Sequence, residues 1–71
     1  MKEKIQLLEV VALLEDLSDR GLIAGQVGTV VEILDDGVFE VEFCDNEGRT
    51  YDQTALCSDQ LMVLHYSPIA A

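Results

Sequence analysis

The chain has 71 residues, with 14 acidic side chains against four basic ones and a net charge of −10. That length makes one domain, residues 1–71, which buries only about 60% of its unfolded surface. Its 49% hydrophobic content excludes a disordered tail, no apolar run reaches the roughly 20 residues of a membrane span, and its negative field opposes phosphate backbones while attracting basic surfaces.

Met1 to Gln6 is polar and expected to fray. Met1-Lys2-Glu3-Lys4 places an acid where a signal peptide carries only bases, and Glu9 interrupts the apolar stretch behind it, so the chain reads as cytosolic. Leu7 to Leu14 is nearly all apolar. Ile5, Leu8, Ala12 and Glu15 fit helical spacing, whereas Val10, Val11 and the short length favour a strand, and periodicity alone does not separate the two. The hairpin that follows needs a partner, so Glu9 to Glu15 is read as a strand.

Glu15 to Ala24 reads as a loop, with Asp16, Ser18, Asp19 and Gly21 as turn formers. Leu17, Leu22 and Ile23 are too apolar for a loop free in water and are expected to pack over the open end of the core. Gly25 to Phe43 is the strongest local signal in the chain. Two runs rich in β-branched and aromatic residues flank Asp35-Asp36-Gly37, the pattern of a β-hairpin whose Gly37 takes positive φ. In the second run Phe39, Val41 and Phe43 alternate with Glu40 and Glu42, one face apolar and one carboxylate. In the first, Val27, Thr29, Val31 and Ile33 share a face, with Val30 and Leu34 on the other. Such a strand sits inside a sheet, and Gly25 and Gly28 mark a bend in it.

Asp45-Asn46-Glu47-Gly48 makes the next turn, and Arg49 to Leu56 a weaker strand with Tyr51 and Ala55 on one face. Ser58-Asp59-Gln60 reads as a single helical turn capped by Ser58. Leu61 to Tyr66 is the last strand, and Ser67 to Ala71, which contains Pro68, is a tail.

The run Gly25-Gln26-Val27-Gly28-Thr29-Val30-Val31-Glu32-Ile33-Leu34 resembles the glycine-containing strand of KOW motifs and of other small SH3-like barrels. Over roughly residues 8–66 the chain is similar to a family of small bacterial domains of unknown function. The similarity lies in Glu9 to Leu17, Gly25 to Leu34, Val38 to Phe43, Gly48-Arg49-Thr50-Tyr51, and the Leu61 to Tyr66 end. The resemblance implies an all-β fold, a small SH3-like barrel of about five antiparallel strands, with a long first loop and a short helical turn before the last strand. It also implies no catalytic motif. Members of the family are often encoded beside another small protein, as in toxin–antitoxin-like gene pairs.

Chemistry-bearing residues are few. Cys44 and Cys57 belong to no CxxC pair and have no histidine at zinc-ligand spacing, so they read as reduced, buried structural thiols. His65, the single histidine, lacks a nucleophile partner. Asp35 and Asp36 lack the ligand count calcium needs and fit a turn, and Gly25-x-x-Gly28 lacks the lysine of a phosphate loop. The expectation is a non-enzymatic protein with no metal and no cofactor.

Binding remains. The four bases are scattered, which disfavours the nucleic-acid role of KOW-like modules. The leading reading is an acidic adaptor for a basic protein, as the antitoxin or immunity half of a pair, with Glu32, Asp35, Asp36, Glu40, Glu42, Asp45 and Glu47 as its binding face. Beside it stands the reading that these acids are only a solvated surface. A further alternative is an accessory subunit of a larger photosynthetic or electron-transfer assembly, docking through the Glu15 to Ala24 loop with Leu22 and Ile23 as anchors. No membrane association is expected.

Overall fold

The computed structural model describes residues 4–68. Strand β1 (Val10–Leu13) is followed by a short 3-10 turn (Ser18–Arg20), β2 (Val27–Asp35), β3 (Val38–Cys44), β4 (Thr50–Cys57), a second 3-10 turn (Ser58–Gln60) and β5 (Leu61–Val63). All pairings are antiparallel and form one sheet in the order β4-β3-β2-β1-β5. Strands β2 to β4 form a meander, and the chain then crosses over so that β5 lies beside β1. The result is an all-β, SH3-like barrel, open between β4 and β5.

The segment with two readings is a strand, narrower than Glu9 to Glu15. Its inner residues Val11 and Leu13 enter the core, which a helix there would not align with β2 and β5. The last strand is also shorter than Leu61 to Tyr66 and ends at Val63. The expectation of a frayed start fails at Ile5, which is buried in the core. Gln6 N–H donates to Glu9 Oε1 at 2.8 Å and Leu8 N–H to Val30 O at 2.7 Å, so the approach to β1 is docked along β2. Met1 to Glu3 and Ile69 to Ala71 lie outside the described residues.

Phe39, Val41 and Phe43 all point inward, as their alternation requires, and join Val11, Leu13, Val30, Leu56, Leu61 and Val63 in one core. The face assignment of β2 needs correction. Gly28 and Val30 face inward, opposite Phe43 and Val41. A register shift between Val30 and Glu32 makes Val31 the extra residue of a bulge, which brings Ile33 onto the side of Phe39. A bulge changes the phase of the alternation, and no residue type announces it.

Gly28 is fixed by space. A Cβ there would lie 2.7 Å from Val41 Cγ1, 2.9 Å from Glu42 O and 3.0 Å from Phe43 Cδ1. The neighbouring strand therefore closes onto bare backbone. At the β2–β3 turn, Gly37 takes φ 73°, a conformation that glycine adopts without strain, and its carbonyl accepts from Ser58 N at 3.0 Å. The second 3-10 turn is capped by Cys57 rather than Ser58: Gln60 Oε1 accepts from Cys57 N at 2.8 Å.

Two substitutions test this core. Phe43→Ala should cost about 3–5 kcal/mol, most of the stability of a domain this small. Gly28→Ala should cost about 1–3 kcal/mol by overpacking. Urea unfolding followed by circular dichroism measures both, and an unchanged midpoint for either would contradict the packing described here.

Candidate functional site

The seven acids singled out by sequence divide into three groups. Glu32 stands directly opposite Glu40 across β2 and β3, and Glu42 lies one outward position further along β3, opposite Thr29. These three share the outer face of the sheet. Asp35 and Asp36 occupy the turn at one end of the hairpin, while Asp45 and Glu47 lie in the turn at its other end. The carboxylates therefore form a central strip with two separated ends.

The ends differ in what their acids do. Asp45 Oδ1 accepts from Glu47 N at 2.9 Å and Arg49 N at 3.0 Å, closing the β3–β4 turn. These backbone donors, with the Arg49 guanidinium, hold the Asp45 carboxyl below its ordinary range. Glu47 pairs with Arg49 as well. This end is thus locally neutralised and structural. At the opposite end, Asp35, Asp36, Gly37, Ile33 and Phe39 line a cleft of about 280 Å³ together with Lys4, Ile5 and Ser58. Among the described residues no group of three His, Cys, Asp or Glu is arranged to hold a metal ion.

In the central strip Glu40 and Glu42 are half-buried, while Glu32 is exposed. Glu42 Oε2 accepts from Thr50 Oγ1 at 2.7 Å and Glu40 Oε2 from Gln53 Nε2 at 3.1 Å, so β4 fixes both carboxylates from one side. Among the described residues no ion pair involves Glu32 or Glu40, although Arg20 lies near enough to Glu40 for a favourable charge interaction. Like charges directly opposite one another destabilise a sheet. This fold carries such a pair at its centre.

Several expectations change here. Leu22 lies in the core at 2% exposure and does not serve as a surface anchor, whereas Ile23 is 61% exposed. The loop is folded on itself: Leu17 and Leu22 exchange backbone hydrogen bonds of 2.8 and 3.2 Å, which turns Leu22 inward and Ile23 outward. Cys44 and Cys57 are both exposed, not buried, because each ends a strand on the outer side. His65 is exposed.

One organising contact was not legible at all. Arg20, from the first 3-10 turn, grips Asp52 of β4 through both carboxylate oxygens, Nε to Oδ2 at 2.9 Å and Nη2 to Oδ1 at 2.6 Å. It ties the long loop to the far edge of the sheet. Gln26 Nε2 adds a second tie, donating to Tyr51 Oη at 2.9 Å. The partners lie 32 and 25 residues apart, and no local pattern links them.

Residues 7–63 match the family described as Domain of unknown function (DUF4926), and the chain belongs to it. No curated protein and no solved structure matches the chain.

The Arg20 hydrogen bonds hold the Asp52 carboxyl below its ordinary value of 3.8. A carboxyl depressed in the folded state stabilises fully above its unfolded value and loses that contribution as pH falls through its folded value. Asp52→Asn should therefore lower the melting temperature at neutral pH and soften the fall between about pH 5 and about pH 2. Parallel melting curves for the variant and the parent across that range would show that the pair anchors nothing.

Proposed function

We propose that this DUF4926 domain is a non-enzymatic protein-binding module whose acidic outer strip receives a basic protein partner in the cytoplasm. The observation that carries the reading is the Glu32–Glu40 pair, with Glu42 beside it. Two facing carboxylates cost stability in the free domain, and a cation from a partner would relieve them. The strip stands on the paired strands β2 and β3, so its geometry is held by the core and not by a loop. Asp35 and Asp36 extend it at the open end, whereas Asp45 and Glu47 are left out because Arg49 already engages them.

The two-gene arrangement implied by the family resemblance gives such a partner a source, with this chain as the antitoxin or immunity half. A non-enzymatic role is supported by the composition of the cleft: Lys4, Asp35, Asp36 and Ser58 line it without an imidazole or thiol that would activate a nucleophile. Nucleic acid is not the proposed ligand. Both arginines are engaged by acids of their own chain, and the net field opposes phosphate contacts. Titrations with single-stranded and duplex oligonucleotides at physiological salt should show no binding, and micromolar affinity there would reverse this assignment.

The carrying test is a pair of neutral replacements, Glu32→Gln with Glu40→Gln. Glutamine at 40 still accepts from Gln53, so the fold is kept, and removal of the facing charges should hold or raise the melting temperature. Association with the partner recovered from the native extract should slow roughly tenfold at low salt, with a flatter salt dependence. Unchanged association kinetics would mean that the strip is only solvated surface.

A further inference from the structure

We infer that the outer face of β1, β2 and β5 is an apolar docking surface for a basic amphipathic helix of a protein partner, an inference that rests on the acidic-strip reading and names what the partner presents. The inner residues of β1 are Val11 and Leu13, so Val10 and Ala12 face outward, and Leu14, just past the strand's end, is exposed. Ala12 pairs with Val27 on one side and Met62 on the other, forming a row across three strands. Val10 pairs with Thr29, and its carbonyl accepts from Leu64 N at 3.0 Å, forming the next row. Leu14, Val27 and Met62 are each nearly half exposed. Ala12 is buried at 5% exposure between Val27 and Met62, outside the main core cluster.

None of these residues is charged, while every charged residue next to them is acidic. Glu9 precedes Val10, Glu15 follows Leu14, and Glu42 stands opposite Thr29. An apolar floor with a carboxylate rim fits an apolar stripe flanked by lysine or arginine. Three strands at about 4.8 Å spacing span about 10 Å, the width of one helix. A second copy of this chain is disfavoured as occupant, since it would set acidic rim against acidic rim at a net charge of −10 per chain. One further apolar residue is held at the surface near β2. Leu8 is 69% exposed at φ 69°, a conformation unfavourable for a side-chain-bearing residue, and its N–H donates to Val30 O at the β2 border of this face.

The test uses two synthetic amphipathic helical peptides of equal length, one of leucine and lysine and one of leucine and glutamate. A third, lysine-rich peptide without leucine serves as a charge-only control. Binding is measured by anisotropy, and the contact surface is mapped by amide chemical shifts. The leucine–lysine peptide should bind, with shifts centred on Ala12, Val27 and Met62. Leu14→Gln with Met62→Gln should weaken it about tenfold at unchanged melting temperature. Glu32→Gln with Glu40→Gln should weaken it less and only at low salt.

If the leucine-free peptide binds equally well and the Leu14 and Met62 replacements have no effect, the apolar surface is wrong while the acidic strip stands. If no peptide binds, both readings fall. Sedimentation showing a dimer that the Leu14 and Met62 replacements abolish would overturn the helix in favour of a second copy.

Discussion

The fold depends on one close approach, the backbone of Gly28 against β3. Gly28 lies opposite Phe43 and next to Val11 in a row that runs through Val63 on β5. Its missing side chain leaves the space that Val41 and the Phe43 ring occupy, and both are fully buried. Without that gap β2 would stand off β3 and the sheet would not curve enough to enclose its own apolar face. The packing of Val11, Val30 and Leu56 in one core follows from this curvature.

Curvature also decides where polar groups go. It brings the first loop over the end of the sheet, so that Arg20 reaches Asp52 and also Gln53 O, at 3.5 Å, on β4. Gln53 N donates to Asp52 Oδ1 at 2.9 Å, and Cys57 N to Gln60 Oε1 at 2.8 Å. Groups that would otherwise line an open edge are thus taken up by the chain's own side chains. That is how a small open sheet avoids edge-to-edge pairing. The other edge, β5, is only three residues long.

Legibility followed the range of the interactions. Asp35-Asp36-Gly37 and Phe39-Glu40-Val41-Glu42-Phe43 announce a turn and a two-faced strand because their causes lie within a few residues. The inward turn of Leu22 against the outward turn of Ile23 depends on the Leu17 pairing, and both residues are equally apolar in sequence. The phase of β2 depends on a bulge at Val31. The Arg20–Asp52 pair exists only once the sheet has curved. The candidate strip was read from alternation, yet alternation did not show that Glu32 faces Glu40, since that register is set by the same bulge.

Edge and face then have separate roles. With Gln53 and Cys57 of β4 engaged by side chains and β5 short, addition of a partner strand has less backbone to engage. The outer face is different, because its surplus is in side chains: a facing pair of carboxylates on β2 and β3, and uncharged apolar rows on β1, β2 and β5. Neither stabilises the isolated domain. Carboxylates facing one another repel, and half-exposed valine, leucine and methionine forgo burial that a smaller or polar residue would not need. A domain of 71 residues has little stability to give up. Under the proposed reading, two unfavourable features side by side on a surface held rigid by the core serve recognition and not folding.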